Sequence, residues 1–146
     1  MSTAGRDISE ALVNGIYTVL SGNVTIGTIT YKVYKNPEEG QTNKTRVLIG
    51  TVIDTENGTK EDYVYNGSIA IETIDEQQVA TPKKALSQQV SGKVRSLLET
   101  AKGTTFAVTD LTLSVFRHGG STQITESTNN KRLRYRIIDI YEFIIE

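Results

Sequence analysis

The chain has 146 residues, of which 37% are hydrophobic and 23% are charged, and its formal net charge is −1. This length predicts a single domain, residues 1–146, and the near-neutral charge argues against a general affinity for nucleic acids or anionic membranes. The lack of cysteine excludes disulfides and thiolate metal sites. The N-terminal residues lack the apolar run of a signal peptide, so we expect a soluble protein made in a cytoplasm.

The N-terminal quarter of the chain is predicted to form one helix and one strand. Apolar residues recur at helical spacing over residues 7–20 and predict an amphipathic helix. Residues 24–34 alternate loosely between apolar and polar side chains. This alternation predicts a strand with Ile29, Tyr31 and Val33 on one face.

Two further strands are predicted after a polar loop that covers residues 36–46. Residues 47–54 form a short apolar run, and residues 63–75 form a longer strand. The Asn57-Gly58 pair between them is a strong hairpin signal. Asn66-Gly67 predicts a bulge or kink within the longer strand.

The C-terminal half is predicted to contain a helix and a hairpin. Thr81-Pro82 is a typical helix start and precedes an apolar stripe that extends to residue 101. Strands over residues 106–116 and 133–146 would pair across a polar excursion, residues 117–132. Fourteen extended residues span roughly 44 Å, whereas a globule of this size is roughly 38 Å across, so we expect the loop end of the hairpin to project.

The element order is therefore α-β-β-β-α-β-β, and we predict an α+β fold. Each helix has one apolar stripe, so each is expected to cover one sheet face rather than lie inside a three-layer core. The simplest architecture is a mostly antiparallel sheet of about five strands with two helices packed on one face. The other face would then be solvated or covered by a partner, and the 36–46 and 117–132 loops would project from the domain.

His118 is the only histidine, and it precedes Gly119-Gly120 in the predicted excursion. A catalytic interpretation would make it a general base or part of an oxyanion loop. The chain has no Gly-x-Ser-x-Gly motif and no cysteine nucleophile. We therefore favour an exposed loop histidine, and we expect no enzyme activity, no metal site and no cofactor.

Seven acidic residues lie in the segment from Asp54 to Glu76. The start of this segment faintly resembles a calcium loop. In an EF-hand, however, glycine occupies position 6 and glutamate occupies position 12. Here Gly58 falls at position 5 and Tyr65 at position 12. A solvated acidic edge, or one that faces a basic neighbour, is the simpler interpretation.

The one basic cluster consists of Lys131, Arg132, Arg134 and Arg136. Its charges are not interleaved with exposed aromatic residues, so a nucleic-acid site is less favoured than a salt-bridged or solvated strand face. Asp139 lies nearby in an otherwise apolar stretch. A buried carboxylate there would need a partner, which we expect to be Arg134, Arg136 or a neighbouring subunit.

The order of elements resembles the tail terminator or tail completion proteins of tailed bacteriophages, which form rings at the head–tail junction. The resemblance covers most of the chain and depends on element type and length rather than on a diagnostic residue. The segments that carry it are DISEALVNGIYTVL, RVLIGTVID, YVYNGSIAIETID, TPKKALSQQVSGKVRSLLETAK and the terminal strand LRYRIIDIYEFII.

This resemblance implies a non-enzymatic virion protein, assembled in the host cytoplasm, that forms a hexameric ring or a ring with a multiple of six subunits. Such a ring would contact the portal or connector and the tail tube or tail hub, with DNA only as cargo passing through and no membrane partner. The expected intersubunit contacts are Arg117, His118, Gln123, Thr125, Lys131, Arg132, Arg134, Arg136, Glu38, Glu39, Lys44 and Arg46.

Two other functions remain open from the sequence. The first is a small-ligand or peptide-binding module that uses the exposed sheet face, for which the seven tyrosines are suitable. The second, and the least favoured, is a hydrolase built around His118 and the acidic stretch.

Overall fold

A computed structural model describes residues 9–35, 45–58, 63–78, 85–101, 113–127 and 132–145. Two helices and seven strands lie within these ranges. In chain order they are α1 Ser9–Leu20, β1 Thr25–Ile26, β2 Ile29–Thr30, β3 Lys32–Tyr34, β4 Thr45–Gly58, β5 Tyr63–Gln78, α2 Ala85–Ala101, β6 Leu113–Ser127 and β7 Arg132–Ile145.

Five strands form the main sheet in the order β3-β4-β5-β7-β6, and β1 and β2 form a separate two-stranded ribbon. The β3–β4 pair is parallel, and every other pair in the main sheet is antiparallel. The prediction of an α+β fold with a mostly antiparallel sheet of about five strands is therefore confirmed.

Both helices cover the same face of this sheet, which we call the inner face. α1 packs against β3 and β4, whereas α2 packs against β5, β7 and β6. The helices contribute Leu12, Ile16, Val19, Leu20, Val90, Val94 and Leu98 to the core, and the sheet contributes Val33, Val47, Ile49, Ile69, Ile71, Phe116, Tyr141 and Phe143. These sheet residues share a face because directly paired residues on neighbouring strands point the same way, and Val33 is paired with Val47 of β4.

The segment after α1 is not the single strand that was predicted. Gly22 adopts a left-handed φ of 78° and ends the helix, as glycine commonly does at this position. Gly27, with φ 62°, lies in the two-residue turn that folds β2 back on β1. Because of this reversal, Ile29 is exposed rather than buried on a common face with Val33.

The bulge in the β4–β5 pair lies on β4, not at Asn66-Gly67. The register shifts between Ile49 and Val52, whereas Gly67 pairs regularly with Asp54. At the shift, a Cβ added to Gly50 would lie 3.0 Å from the carbonyl oxygen of Ala70. Close approach of two backbones explains why glycine occupies this position.

The terminal strand is confirmed, but most of the predicted excursion before it is wrong. Residues 117–127 belong to β6 and pair with β7 from Glu142 to Leu133. Their polar composition resembles a loop, yet side chains on an edge strand can stay in water while the backbone is paired. Residues 106–112 and 128–131 lie outside the described residues, as do residues 36–44 of the other predicted loop.

The bulge predicts different responses to alanine at two glycines of the sheet. Gly50→Ala should lower the free energy of unfolding by ~1–3 kcal/mol, because the Ala70 carbonyl cannot retreat without disturbing the ladder. Gly120→Ala is the matched control, since no atom lies within 4 Å of its added Cβ. It should change stability by no more than about 0.5 kcal/mol. Urea unfolding measures both, and equal losses would contradict the proposed crowding.

Candidate interaction surface

The sheet face that points away from both helices is the first candidate surface, and we call it the outer face. Because side chains alternate along a strand, this face carries the even-numbered residues of β7 and the residues in register with them on β4, β5 and β6. Its central members are Arg46, Leu48, Ala70, Glu72, Ile74, Glu76, Thr122, Ile124, Glu126, Arg134, Arg136, Ile138 and Ile140.

A network of ion pairs crosses four strands of the outer face. Arg136 of β7 bonds to Glu72 of β5 and, at 3.1 Å from Nη1 to Oε1, to Glu126 of β6. Arg134 Nε lies 3.0 Å from Glu76 Oε1, and Arg46 Nη2 of β4 lies 3.5 Å from the same oxygen. Three arginines thus face three glutamates, so the network is formally neutral.

The network also buries an isoleucine on the solvent side of the sheet. Ile74 pairs with Arg46 on one side and with Arg136 on the other, and it is only 6% exposed. The aliphatic stems of long cationic side chains can cover such a residue while their heads remain paired. The hydrogen bond with Glu72 is the main cause that raises the pKa of Arg136. The interpretation of Arg134 and Arg136 as a salt-bridged strand face is confirmed.

The rest of the outer face is less polar. Leu48, Ile138 and Ile140 are half-buried there, and Ile53 is 66% exposed. A shallow groove of about 330 Å³ lies at the end of this face, between the Arg117–Glu142 ion pair and Ile144. No helix of the described residues covers this side of the sheet.

The partly buried ion pairs of the network and the exposed Arg117–Glu142 pair should respond differently to substitution. Arg136→Met should lower the free energy of unfolding by ~1–3 kcal/mol, because it leaves Glu72, whose side chain is 15% exposed, without its main partner. Arg117→Met is the matched control, since that arginine is 70% exposed and its pair should contribute only ~0–1 kcal/mol. Thermal and urea unfolding of both variants measure the difference, and a larger loss for Arg117→Met would contradict it.

A second polar cluster lies on the inner face, under α2. Asp139 of β7 is 3% exposed, and each of its carboxylate oxygens has a partner. Its Oδ1 lies 2.8 Å from His118 Nε2 of β6, and its Oδ2 accepts a 2.6 Å hydrogen bond from Ser91 Oγ of α2. We call these three residues the Asp139 cluster. It joins two strands and a helix through one carboxylate.

Aromatic packing surrounds the Asp139 cluster. The Tyr141 ring stacks on Phe116 with centroids 5.3 Å apart, and its contact with the His118 ring is edge-on at the same distance. Burial is the main cause that raises the pKa of the Tyr141 phenol. His118 is therefore held by a carboxylate and an aromatic ring, and its side chain is only 12% exposed.

These positions correct two predictions. His118 is not an exposed loop residue, because β6 continues through it and turns its ring toward the core. The partners of Asp139 are not Arg134 or Arg136, because even and odd positions of β7 lie on opposite faces. The alternation along the strand was sufficient to exclude both arginines. Ser91 had no comparable signal, since it only borders the apolar stripe of α2.

The Asp139 cluster does not have the bonding order of a nucleophilic triad. In a triad the imidazole lies between the serine and the carboxylate and takes the serine proton. Here the serine hydroxyl donates directly to the carboxylate, and His118 bonds to the other oxygen. Among the described residues, no group of three or more histidines or acids is placed to hold a metal ion.

The Asp139 cluster predicts a coupling that a double-mutant cycle can measure. Ser91→Ala should lower the free energy of unfolding by ~1–3 kcal/mol, because a buried carboxylate oxygen loses its donor. The same change in an Asp139→Val background should cost much less. Ser96→Ala, on the exposed side of α2, is the matched control. Equal losses from Ser91→Ala in both backgrounds would contradict the coupling.

The acidic stretch does not form one surface. Asp75 is buried on the inner face, where it accepts hydrogen bonds from Thr45 Oγ1 at 2.8 Å and from Gln77 Nε2 at 2.5 Å. Glu72 and Glu76 belong to the outer-face network. The side chains of Asp54 and Glu56 and the whole of Glu61 and Asp62 lie outside what the structure describes.

The residues predicted as intersubunit contacts fall into three groups. Exposed positions on β6 are Arg117, Gln123 and Thr125, and half-buried Arg132 begins β7. Intramolecular partners hold His118, Arg46, Arg134 and Arg136, and the exposed Arg117 also pairs with Glu142. The others, Glu38, Glu39, Lys44 and Lys131, lie outside the described residues.

Comparison with known proteins gives a likeness in structure but none in sequence. No protein-family model matches the chain, and no curated protein sequence matches it. Among solved structures, it is similar to a chain described as "Virion of native gene transfer agent (GTA) particle", with a TM-score of 0.66 and 13% sequence identity. The match covers 97% of this chain and 100% of that chain, so the whole fold is shared.

None of the described helices is both long enough and apolar enough to cross a membrane.

Proposed function

We propose that this protein is a non-enzymatic structural subunit of a phage-like virion. The observation that carries the proposal is the likeness, over nearly the full length of both chains, to a chain from a virion of a gene transfer agent. The fold of that chain is thus used inside a particle. The element order of the present sequence also resembles the tail terminator or tail completion proteins of tailed bacteriophages.

Within the virion, we propose a homo-oligomeric ring at the head–tail junction, with six subunits or a multiple of six. The ring would cap the tail tube or adapt the portal or connector to the tail, and DNA would pass through it as cargo. Two features of the subunit support such a role. One face of its sheet has no helix over it in the described residues, and a long edge strand borders the sheet.

The chemistry of the subunit supports a structural role as well. The buried carboxylate of Asp139 is satisfied by a serine and a histidine that belong to packed elements. Each outer-face arginine of the network is paired with a glutamate. Neither cluster therefore offers a free reactive group, and the outer-face network offers no excess positive charge to hold a phosphate backbone.

This role predicts that the purified protein, alone or mixed with a tail or neck fraction, forms a ring of defined mass. Native mass spectrometry gives the subunit number, and negative-stain microscopy gives the shape. Antibody labelling of intact particles should then place the protein at the neck. A protein that stays monomeric under all these conditions, and that no particle fraction retains, would contradict the proposal.

A binding module is the second candidate function. A cleft of about 550 Å³ lies between the end of α1 and β3, and Tyr17, Tyr31 and Tyr34 line it. This volume lies within the range of small-ligand sites. The cleft is separate from the sheet face on which such a site was predicted.

A further inference from the structure

The main sheet presents two open backbone edges within the described residues. β6 borders it on one side along its whole length. On the other side, β3 pairs only with residues 46–48 of β4. Among the described residues, no strand pairs with residues 50–58 of β4 on the side away from β5, and we call these residues the open half of β4.

The directions of the strands make these two edges complementary. Each step from β4 to β5, from β5 to β7 and from β7 to β6 is antiparallel, so β6 runs opposite to β4. A second copy placed in the same orientation would therefore bring its β4 antiparallel to β6 of the first copy. This is the geometry that a regular antiparallel ladder requires.

We propose that β6 of one copy pairs with the open half of β4 of the next copy, so that one sheet continues through the assembly. The two edges consist of different residues, so the contact is heterologous and closes into a ring when the rotation per subunit allows it. The inference rests on the proposed ring function and names the interface that forms it.

The side chains of β6 favour a strand of a second copy as its partner. Proteins protect isolated edge strands with charged side chains, proline, bulges or short length, but the second half of β6, residues 120–127, has no lysine, no proline and no bulge. Its exposed positions in the second half are uncharged: Ser121, Thr122, Gln123, Thr125 and Ser127. On the other edge, the open half of β4 exposes the large apolar side chain of Ile53.

The regular parts of the two edges also match in length. The register shifts of β6 lie between Leu113 and Val115 and between His118 and Gly120, so residues 120–127 are free of bulges. This segment is similar in length to residues 52–58 of β4, which follow the bulge of that strand and pair regularly with β5. The Asp139 cluster and the Glu126–Arg136 pair hold β6 to β7. The edge is therefore rigid before a partner arrives, which lowers the entropic cost of pairing.

Adjacent proline substitutions test this interface with an internal control. Along an edge strand, successive N–H groups alternate between the neighbouring strand and the open side. Of Thr122→Pro and Gln123→Pro, one therefore removes a hydrogen bond to β7 and the other removes only an N–H at the open edge. The variant that keeps the wild-type melting temperature should fail to form rings in native mass spectrometry. Ile53→Pro and Asp54→Pro form the corresponding pair on β4.

Mixing the two stable variants tests the heterologous geometry. Each should be monomeric alone, whereas a mixture of the β6 variant and the β4 variant should give a 1:1 dimer that grows no further, because only one intact edge pair remains. If only the β6 variant loses assembly and the β4 variant still assembles, the inference is overturned. That result would indicate a two-fold β6–β6 contact or an extended strand from a tail protein.

The controls separate this inference from the proposed function. If both stable proline variants still form rings of wild-type size, the edge pairing is overturned and the virion role is left intact. A wild-type protein that never assembles, even with a virion fraction, would overturn both.

Discussion

The register of β7 determines which side chains lie on each face of the sheet. This strand pairs with β5 over its full length and with β6 along the other side, so its position fixes both neighbours. Its odd positions bury Asp139, Tyr141 and Phe143 under α2, and its even positions place Arg134 and Arg136 in the outer-face network. A slip of one residue would exchange the two sets, which places two arginines in the core and the aromatic rings in water. The Asp139 cluster and the arginine network therefore specify the same register from opposite faces.

The sequence predicted the elements that have a strong periodic pattern. Both helices carry an apolar stripe, and β5 and β7 are long runs of β-branched and aromatic residues, so their type was clear before the structure. β6 was missed over residues 117–127 because an edge strand needs no buried side chains once its backbone is paired. The ribbon of β1 and β2 was missed because a left-handed turn at Gly27 reversed a weakly alternating segment. Both errors arise where backbone geometry, rather than side-chain burial, decides the structure.

The candidate sites were predicted less well than the fold. The alternation of β7 already separated Asp139 from the two arginines. The true partners of Asp139, however, are Ser91 and His118, which lie 48 and 21 positions away in the chain. Pairing of that kind depends on how α2 lies across the sheet and on where β6 bulges. The same bulges turn His118 inward. The sequence predicted the exposed polar residues of β6 as contact residues of a projecting loop. They lie instead on an open strand edge, where they remain candidates for subunit contact.

If the open edges of the sheet carry assembly, amide hydrogen exchange should detect their pairing in the ring. Exchange of β6 amides can be compared between the monomer and the assembled ring, with β7 as the internal reference. Alternate amides over residues 120–127 should become strongly protected in the ring, while those of β7 should change little because both of its sides are already paired. Equal, rapid exchange of these edge amides in both states would refute edge pairing and place the subunit contacts elsewhere on the molecule.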